Sequence, residues 1–164
     1  DTIYTGAKFT RLYFKDCYID GTTDFIFGPS TALFEDCIIH SKRNSYVTAA
    51  STPKEAKYGY VFKHCKLTAE PGVDKVYLGR PWRPYAYTLF IECELGKHIV
   101  LAGWHNWGKQ SNEETARYME YKNTGEGANA SERVAWSKQL TKKEAEAVTV
   151  DAIFRTQSDW NPID

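Results

Sequence analysis

The side chains best placed for chemistry lie in two short stretches. DGTTDFIFGPS (residues 20–30) sets Asp24 at the mouth of the apolar run Phe25-Ile26-Phe27, and YLGRPWRPYAYT (residues 77–88) surrounds Arg80 with prolines, a second arginine and aromatic rings. A carboxylate beside an apolar run is costly to desolvate unless something pairs with it. An arginine from elsewhere in the chain would keep such an aspartate ionised and orient it through two parallel hydrogen bonds, one way to hold a carboxylate nucleophile at neutral pH. The alternatives are a turn aspartate facing water or nearby N–H groups and a surface arginine beside a proline-stiffened turn. Trp82 and Tyr85 read as an exposed aromatic platform. Asp1, Asp16, Asp20 and Asp36 are further carboxylates, of which Asp16 and Asp36 occupy equivalent repeat positions and read as structural or solvated. The four histidines are scattered and no cysteine pair has CxxC spacing, so no metal site is assigned.

What must position these residues is visible around the cysteines. YFKDCYID, LFEDCIIH, VFKHCKLT and LFIECELG each place a Phe three before the Cys (Phe14, Phe34, Phe62, Phe90) and an Ile or Leu two after it (Ile19, Ile39, Leu67, Leu95). Recurrence at intervals in the twenties marks a coiled repeat, and Cys and the aliphatic two later share one strand face. Stacked in register, the copies would form ladders of Phe, Cys and Ile/Leu inside a parallel β-helix, in which residues distant in sequence meet on neighbouring coils. Cys17, Cys37, Cys65 and Cys93 then read as small apolar core residues rather than disulfide halves. The pattern fades after about residue 110. There the chain reads as long loops with one further strand at most, then a short helix opened by a Thr141/Glu144 capping box and a tail carrying Ile153, Phe154 and Trp160 that would cover the solenoid end.

Bulk properties narrow the class. At 164 residues the chain suits a single domain, 1–164, and 42% apolar with 26% charged residues is ordinary for a globular fold. Lysine plus arginine equals aspartate plus glutamate, which argues against nucleic acid or an anionic membrane as partner. No apolar run reaches the roughly 18 residues of a membrane span. The sequence starts without Met, so no targeting segment can be read from it.

GTTDFIFG and LGRPW together resemble the two signature motifs of the pectin methylesterases, or pectinesterases. DTIYT at the start is similar to the segment that follows a Gln in a third family motif, and GWHNW, YMEYKNTGEGA, RVAW and the Phe154–Pro162 tail fit the family's C-terminal half. The resemblance covers essentially the whole chain. It implies an all-β, right-handed parallel β-helix, closed by a short helix/loop cap, whose cleft holds methylated homogalacturonan and whose reaction frees methanol without a cofactor. It matches Asp24 to the nucleophile, Asp1 to the general acid/base and Arg80 to the arginine that orients the nucleophile, with Trp82, Tyr4 and Phe27 lining the substrate cleft. A Gln that the family carries just before the position of Asp1 is absent. The expectation is therefore an N-terminally truncated solenoid with weak activity or none, an exposed coil edge open to self-association, and an extracellular or periplasmic setting that follows from the substrate. Two other readings stay open. One is a non-catalytic pectin-binding solenoid using Trp82, Trp104 and Trp107 as sugar platforms; the other is a lyase of similar architecture.

Overall fold

The structure, a computed structural model, describes residues 1–155 and 160–163. Each coil lays down three short strands: β1 (Ile3–Tyr4), β2 (Arg11–Lys15) and β3 (Tyr18–Gly21), then β4 (Ile26–Gly28), β5 (Thr31–Glu35) and β6 (Ile38–Ser41). The next two coils supply β7 (Tyr46–Ala50), β8 (Tyr60–Lys63) and β9 (Lys66–Ala69), then β10 (Tyr77–Gly79), β11 (Tyr87–Ile91) and β12 (Glu94–Leu95). Every pairing is parallel and each strand pairs with its counterparts on adjacent coils, so three sheets run along a parallel β-helix.

The repeat explains the register. Phe14, Phe34, Phe62 and Phe90 are direct partners across β2, β5, β8 and β11. Their rings stack at 4.7, 4.5 and 4.4 Å. Ile19, Ile39, Leu67 and Leu95 form a second ladder in the third sheet. A one-residue slip in any coil would turn these side chains outward, so burial fixes the pairing. All four cysteines are free, with Cys37, Cys65 and Cys93 buried. The Cys37, Cys65 and Cys93 thiols each donate to the carbonyl of the ladder Phe one coil back. The Cys37 thiol is pushed up by its hydrogen bonding with Cys65 and by burial, which keeps it a neutral core group. The residue before each Cys makes the bend between sheets in left-handed conformation: Asp16, Asp36, His64 and Glu92 have φ of 53, 54, 53 and 49°. Asp16 and Asp36 are thus turn residues that face solvent.

Beyond the fourth coil the pattern changes chemistry, not geometry. After a short helix, α1 (Asn112–Thr115), strand β13 (Arg117–Tyr121) pairs with β11 over five residues and β14 (Lys138–Gln139) follows it. The expectation of one further strand at most is corrected to two. Glu120 takes the ladder position of Phe90, Lys122 repeats the left-handed bend, and Asn123 stands where a Cys would, its Oδ1 accepting the Cys93 N–H. Glu120 is paired with Arg133, both side chains only 3% exposed. Arg133 also donates to the carbonyls of Val100, Leu101 and Gly127. This polar plug ends the apolar ladder. The Thr141/Glu144 capping box opens α2 (Lys142–Glu146), and α3 (Val150–Phe154) follows. The tail lies along the outer flank of the second sheet, where Ile153 and Phe154 pack with Leu33, Val61 and Leu89.

One buried group makes stability depend on pH. His98 is 3% exposed, its Nε2 has no partner among the described residues, and burial, with a smaller contribution from His40, lowers its pKa to about 4. The unfolded chain therefore binds a proton, at a pKa near 6.5, that the folded chain refuses. Stability is full above about pH 6.5 and falls as pH drops toward 4. The expected loss is on the order of 3 kcal/mol, and it should be absent in His98→Gln when urea midpoints are compared at pH 7 and pH 4.

Candidate active site

The site sits on the outer face of the first sheet. Ile3 pairs with Ile26 and Tyr4 with Phe27, and two residues back along the same two segments stand Asp1 and Asp24. The Asp1 backbone nitrogen donates to the Thr23 carbonyl at 3.2 Å, which holds Asp1 against the next coil. Asp24 has φ of 48°, a left-handed conformation that carries strain for a non-glycine residue, and its N–H donates to the Tyr46 carbonyl. On the coil after Tyr46, Gly79 pairs with Thr48, and a Cβ at Gly79 would come within 2.3 Å of the Thr48 hydroxyl oxygen. Glycine thus permits the close approach that delivers Arg80.

Arg80 Nε donates to Asp24 Oδ1 at 2.9 Å and Nη2 to Oδ2 at 2.7 Å, a bidentate fork across 56 residues of sequence. The guanidinium lies between two rings, 3.9 Å from the centroids of both Tyr46 and Trp107. Burial draws the Arg80 pKa down, but its bonds to Asp24 outweigh this and the net shift is upward, so the guanidinium stays charged. Asp24 is 14% exposed at its side chain and Arg80 22%, enough for a ligand to reach one carboxylate edge. The turn-aspartate and surface-arginine alternatives do not describe this pair.

Around the pair, Asp1, Asp24, Phe27, Ala49, Trp82 and Trp107 line a cleft of about 220 Å³. Phe27 packs 5.2 Å from Tyr4 and 6.0 Å from Trp82. Tyr4 itself is exposed and lines the adjoining groove rather than the Asp24 cleft.

The pectinesterase family model matches residues 1–157. The chain belongs to the pectinesterase family. Pectinesterase 31 of Arabidopsis thaliana is 43% identical over 146 residues, covering 88% of this chain and 45% of that protein. The solved pectin methylesterase from carrot superposes with a TM-score of 0.84 at 33% identity, covering 92% of this chain and 53% of that one. A pectin methylesterase solved in complex with a hexasaccharide gives 0.76 at 30% identity, covering 93% and 52%. The chain therefore spans about half the length of the relatives it matches. Its solenoid is the right-handed parallel β-helix of this family.

In this pectinesterase chain the fold brings Asp1, Asp24, Arg80, Phe27 and Trp82 to one cleft, with Tyr4 next door. Trp104 is corrected: it is 1% exposed and stacks on Tyr118 at 4.2 Å, so it is core and no sugar platform. Tyr46 and His105 are the residues that sequence reasoning missed, and Trp107, read there only as a sugar platform, stacks on Arg80. His105 stands edge-on to Tyr46, and its Nδ1 accepts the N–H of Trp107 at 3.0 Å, which fixes the ring over Arg80. Burial and the Arg80 charge hold the His105 pKa down, so Nδ1 keeps the lone pair this bond requires. The GWHNW stretch carried a signal for Trp107 and His105; nothing local marks Tyr46.

Proposed function

We propose that the chain carries the aspartyl esterase centre of a pectin methylesterase, removing methyl esters from galacturonate units of homogalacturonan. The observation that carries this reading is the Arg80 fork on Asp24, with Asp1 across the coil in the same aromatic cleft. The names of the relatives and the saccharide-bound family structure support the substrate class. The substrate in turn sets the protein in the extracellular, wall-facing compartment.

Oriented by the Arg80 fork, Asp24 attacks the ester carbonyl carbon through one carboxylate oxygen, and a tetrahedral intermediate forms. Asp1, carrying a proton, delivers it to the methoxy oxygen as the C–O bond breaks, so methanol leaves and Asp24 is acylated as an anhydride. Asp1, now a carboxylate, takes a proton from water whose oxygen attacks the acyl carbon. Galacturonate leaves as a free acid, Asp24 regains its carboxylate and Asp1 its proton. Trp82 and Phe27 hold the sugar ring against the reacting face, where orientation counts most.

The test is release of methanol and an equal amount of new carboxylate from methyl-esterified pectin, by the chain expressed with whatever coding sequence lies upstream of it. An unsaturated, ultraviolet-absorbing product would instead indicate a lyase, and pectin binding with no methanol a binding solenoid. Arg80→Lys should lower kcat by about 10²-fold with little change in KM, since lysine offers a point charge in place of the fork and cannot lie flat between Tyr46 and Trp107. Unchanged kcat in that variant would remove Arg80 from the mechanism.

A further inference from the structure

Beside the Asp24–Arg80 fork stands a group that does not itself line the cleft, His105. The pairing of Gly79 with Trp104 sets it one rung beyond Arg80, and its N–H donates to the Gly79 carbonyl at 3.1 Å. The imidazole is edge-on to two tyrosine rings, 5.4 Å and 63° from Tyr46 and 5.3 Å and 76° from Tyr77. Those rings stack on one another at 5.2 Å, carried by partnered residues of β7 and β10. Held in this way, Nδ1 meets the Trp107 N–H two residues on, the side-chain-to-backbone turn that asparagine usually makes. Asn106 makes the same turn to the Gly108 N–H at 2.8 Å.

Trp107 depends on that anchor. Its φ of 63° is left-handed, a conformation that disfavours a bulky side chain, and only this backbone brings the indole 3.9 Å from the guanidinium. Without the anchor the backbone can relax, and Arg80 keeps only its Tyr46 wall. Protonating His105 removes the anchor in two ways. It sets an N–H against the Trp107 N–H, donor against donor, and it adds a second positive charge beside Arg80. The other groups facing the imidazole are the Tyr46 and Tyr77 rings and, across a recess of about 300 Å³, Glu113, whose Oε1 accepts from the Asn106 amide at 2.9 Å. Burial and the Arg80 charge hold the His105 pKa below its ordinary 6.5, so the anchor is intact at neutral pH and is lost on the acid side.

We propose that His105 is a positioning residue for the esterase centre and its proton-sensitive latch: as a neutral imidazole it holds Trp107 over Arg80, and on protonation it releases that ring and loosens the fork on Asp24. The inference rests on the esterase reading and deepens it by assigning a control on the same site. His105 touches no reacting atom and acts only through Trp107 and Arg80. Acid then slows the reaction by disordering the guanidinium, separately from any proton taken up by Asp24 or Asp1.

Two variants separate the ring from the acceptor. His105→Phe keeps an aromatic edge against Tyr46 and Tyr77 but offers Trp107 nothing to bond, whereas His105→Asn supplies an acceptor that does not titrate. In the methanol assay at pH 7.5, His105→Phe should lose about tenfold in kcat with a smaller rise in KM, less than the roughly 10²-fold of a group misplaced by an ångström. His105→Asn should restore most of that kcat. The second readout needs no turnover: the Arg80 Nε–H resonance, shifted by the ring current of Trp107, is followed by NMR from pH 7.5 downward. In the parent it should move together with the His105 ring signals, and in His105→Asn that step should vanish while any step due to Asp24 stays. An Arg80 signal that ignores His105 protonation overturns the proposal, as does His105→Asn impaired as deeply as His105→Phe. A parent that releases no methanol fails the esterase reading, and the NMR titration still decides the latch.

Discussion

Asp24→Asn lowers methanol release by about 10⁴-fold or more, the scale of loss when an enzyme's nucleophile is removed. The amide is isosteric with the carboxylate but lacks the anionic oxygen that must bond to the ester carbon. Asparagine also tolerates the left-handed backbone that Asp24 adopts at φ 48°, so the turn survives the change. Its one carbonyl oxygen can take one Arg80 donor, while its NH₂ opposes the other, and the fork is halved. The matching structural measurement is a melting curve close to that of the parent, because Arg80 remains stacked between Tyr46 and Trp107. Methanol release by the asparagine variant within tenfold of the parent would remove Asp24 from the role of nucleophile.

The second large effect lies far from the chemistry. Glu120→Ala is expected to cost about 3–5 kcal/mol, because it leaves the Arg133 guanidinium buried with no countercharge. For a domain of this size that is a fall in Tm of roughly 10 °C or more. The double change Glu120→Leu with Arg133→Met should recover only part of the loss. It removes both charges and restores an apolar rung, but takes away the Arg133 donors to the carbonyls of Leu101 and Gly127 and leaves that of Val100 with the Gly103 N–H alone. Thermal unfolding of the single and double variants checks this, and a cost below about 1 kcal/mol for Glu120→Ala would show that the plug is solvated or dispensable.

The two halves of the Asp24–Arg80 pair were legible for different reasons. Asp24 drew notice because a carboxylate beside Phe25 and Ile26, both fully buried, needs a partner. Arg80 was conspicuous through its setting of prolines and rings. Their union was not legible from composition: 56 residues separate them, and it depends on how many residues each intervening turn consumes. The resemblance to the pectinesterases joined them, and the coil geometry shows how. Trp104 and Trp107 make the same point in three residues. Trp104 pairs into the solenoid through Gly79 and stacks on Tyr118, whereas Trp107, at φ 63°, turns back over Arg80.

The fifth coil was hidden for a chemical reason. Its strand, bend and pairing copy the four before it, but Glu120 replaces the ladder Phe and Asn123 the ladder Cys, so a search for apolar periodicity stops one rung early. The sequence by itself determined the solenoid, because like residues at like positions of successive coils can be buried together only when parallel strands stack in register. It also determined which carboxylate and which guanidinium to suspect. Only the tertiary structure decided the environment of that pair: which rings clamp Arg80, which tryptophan is core, where the ladder ends, and which side chain anchors Trp107. The reason is that strand periodicity is a local property of the chain, whereas contacts between coils are set by turn lengths and by backbone conformations at single residues such as Asp24 and Gly79.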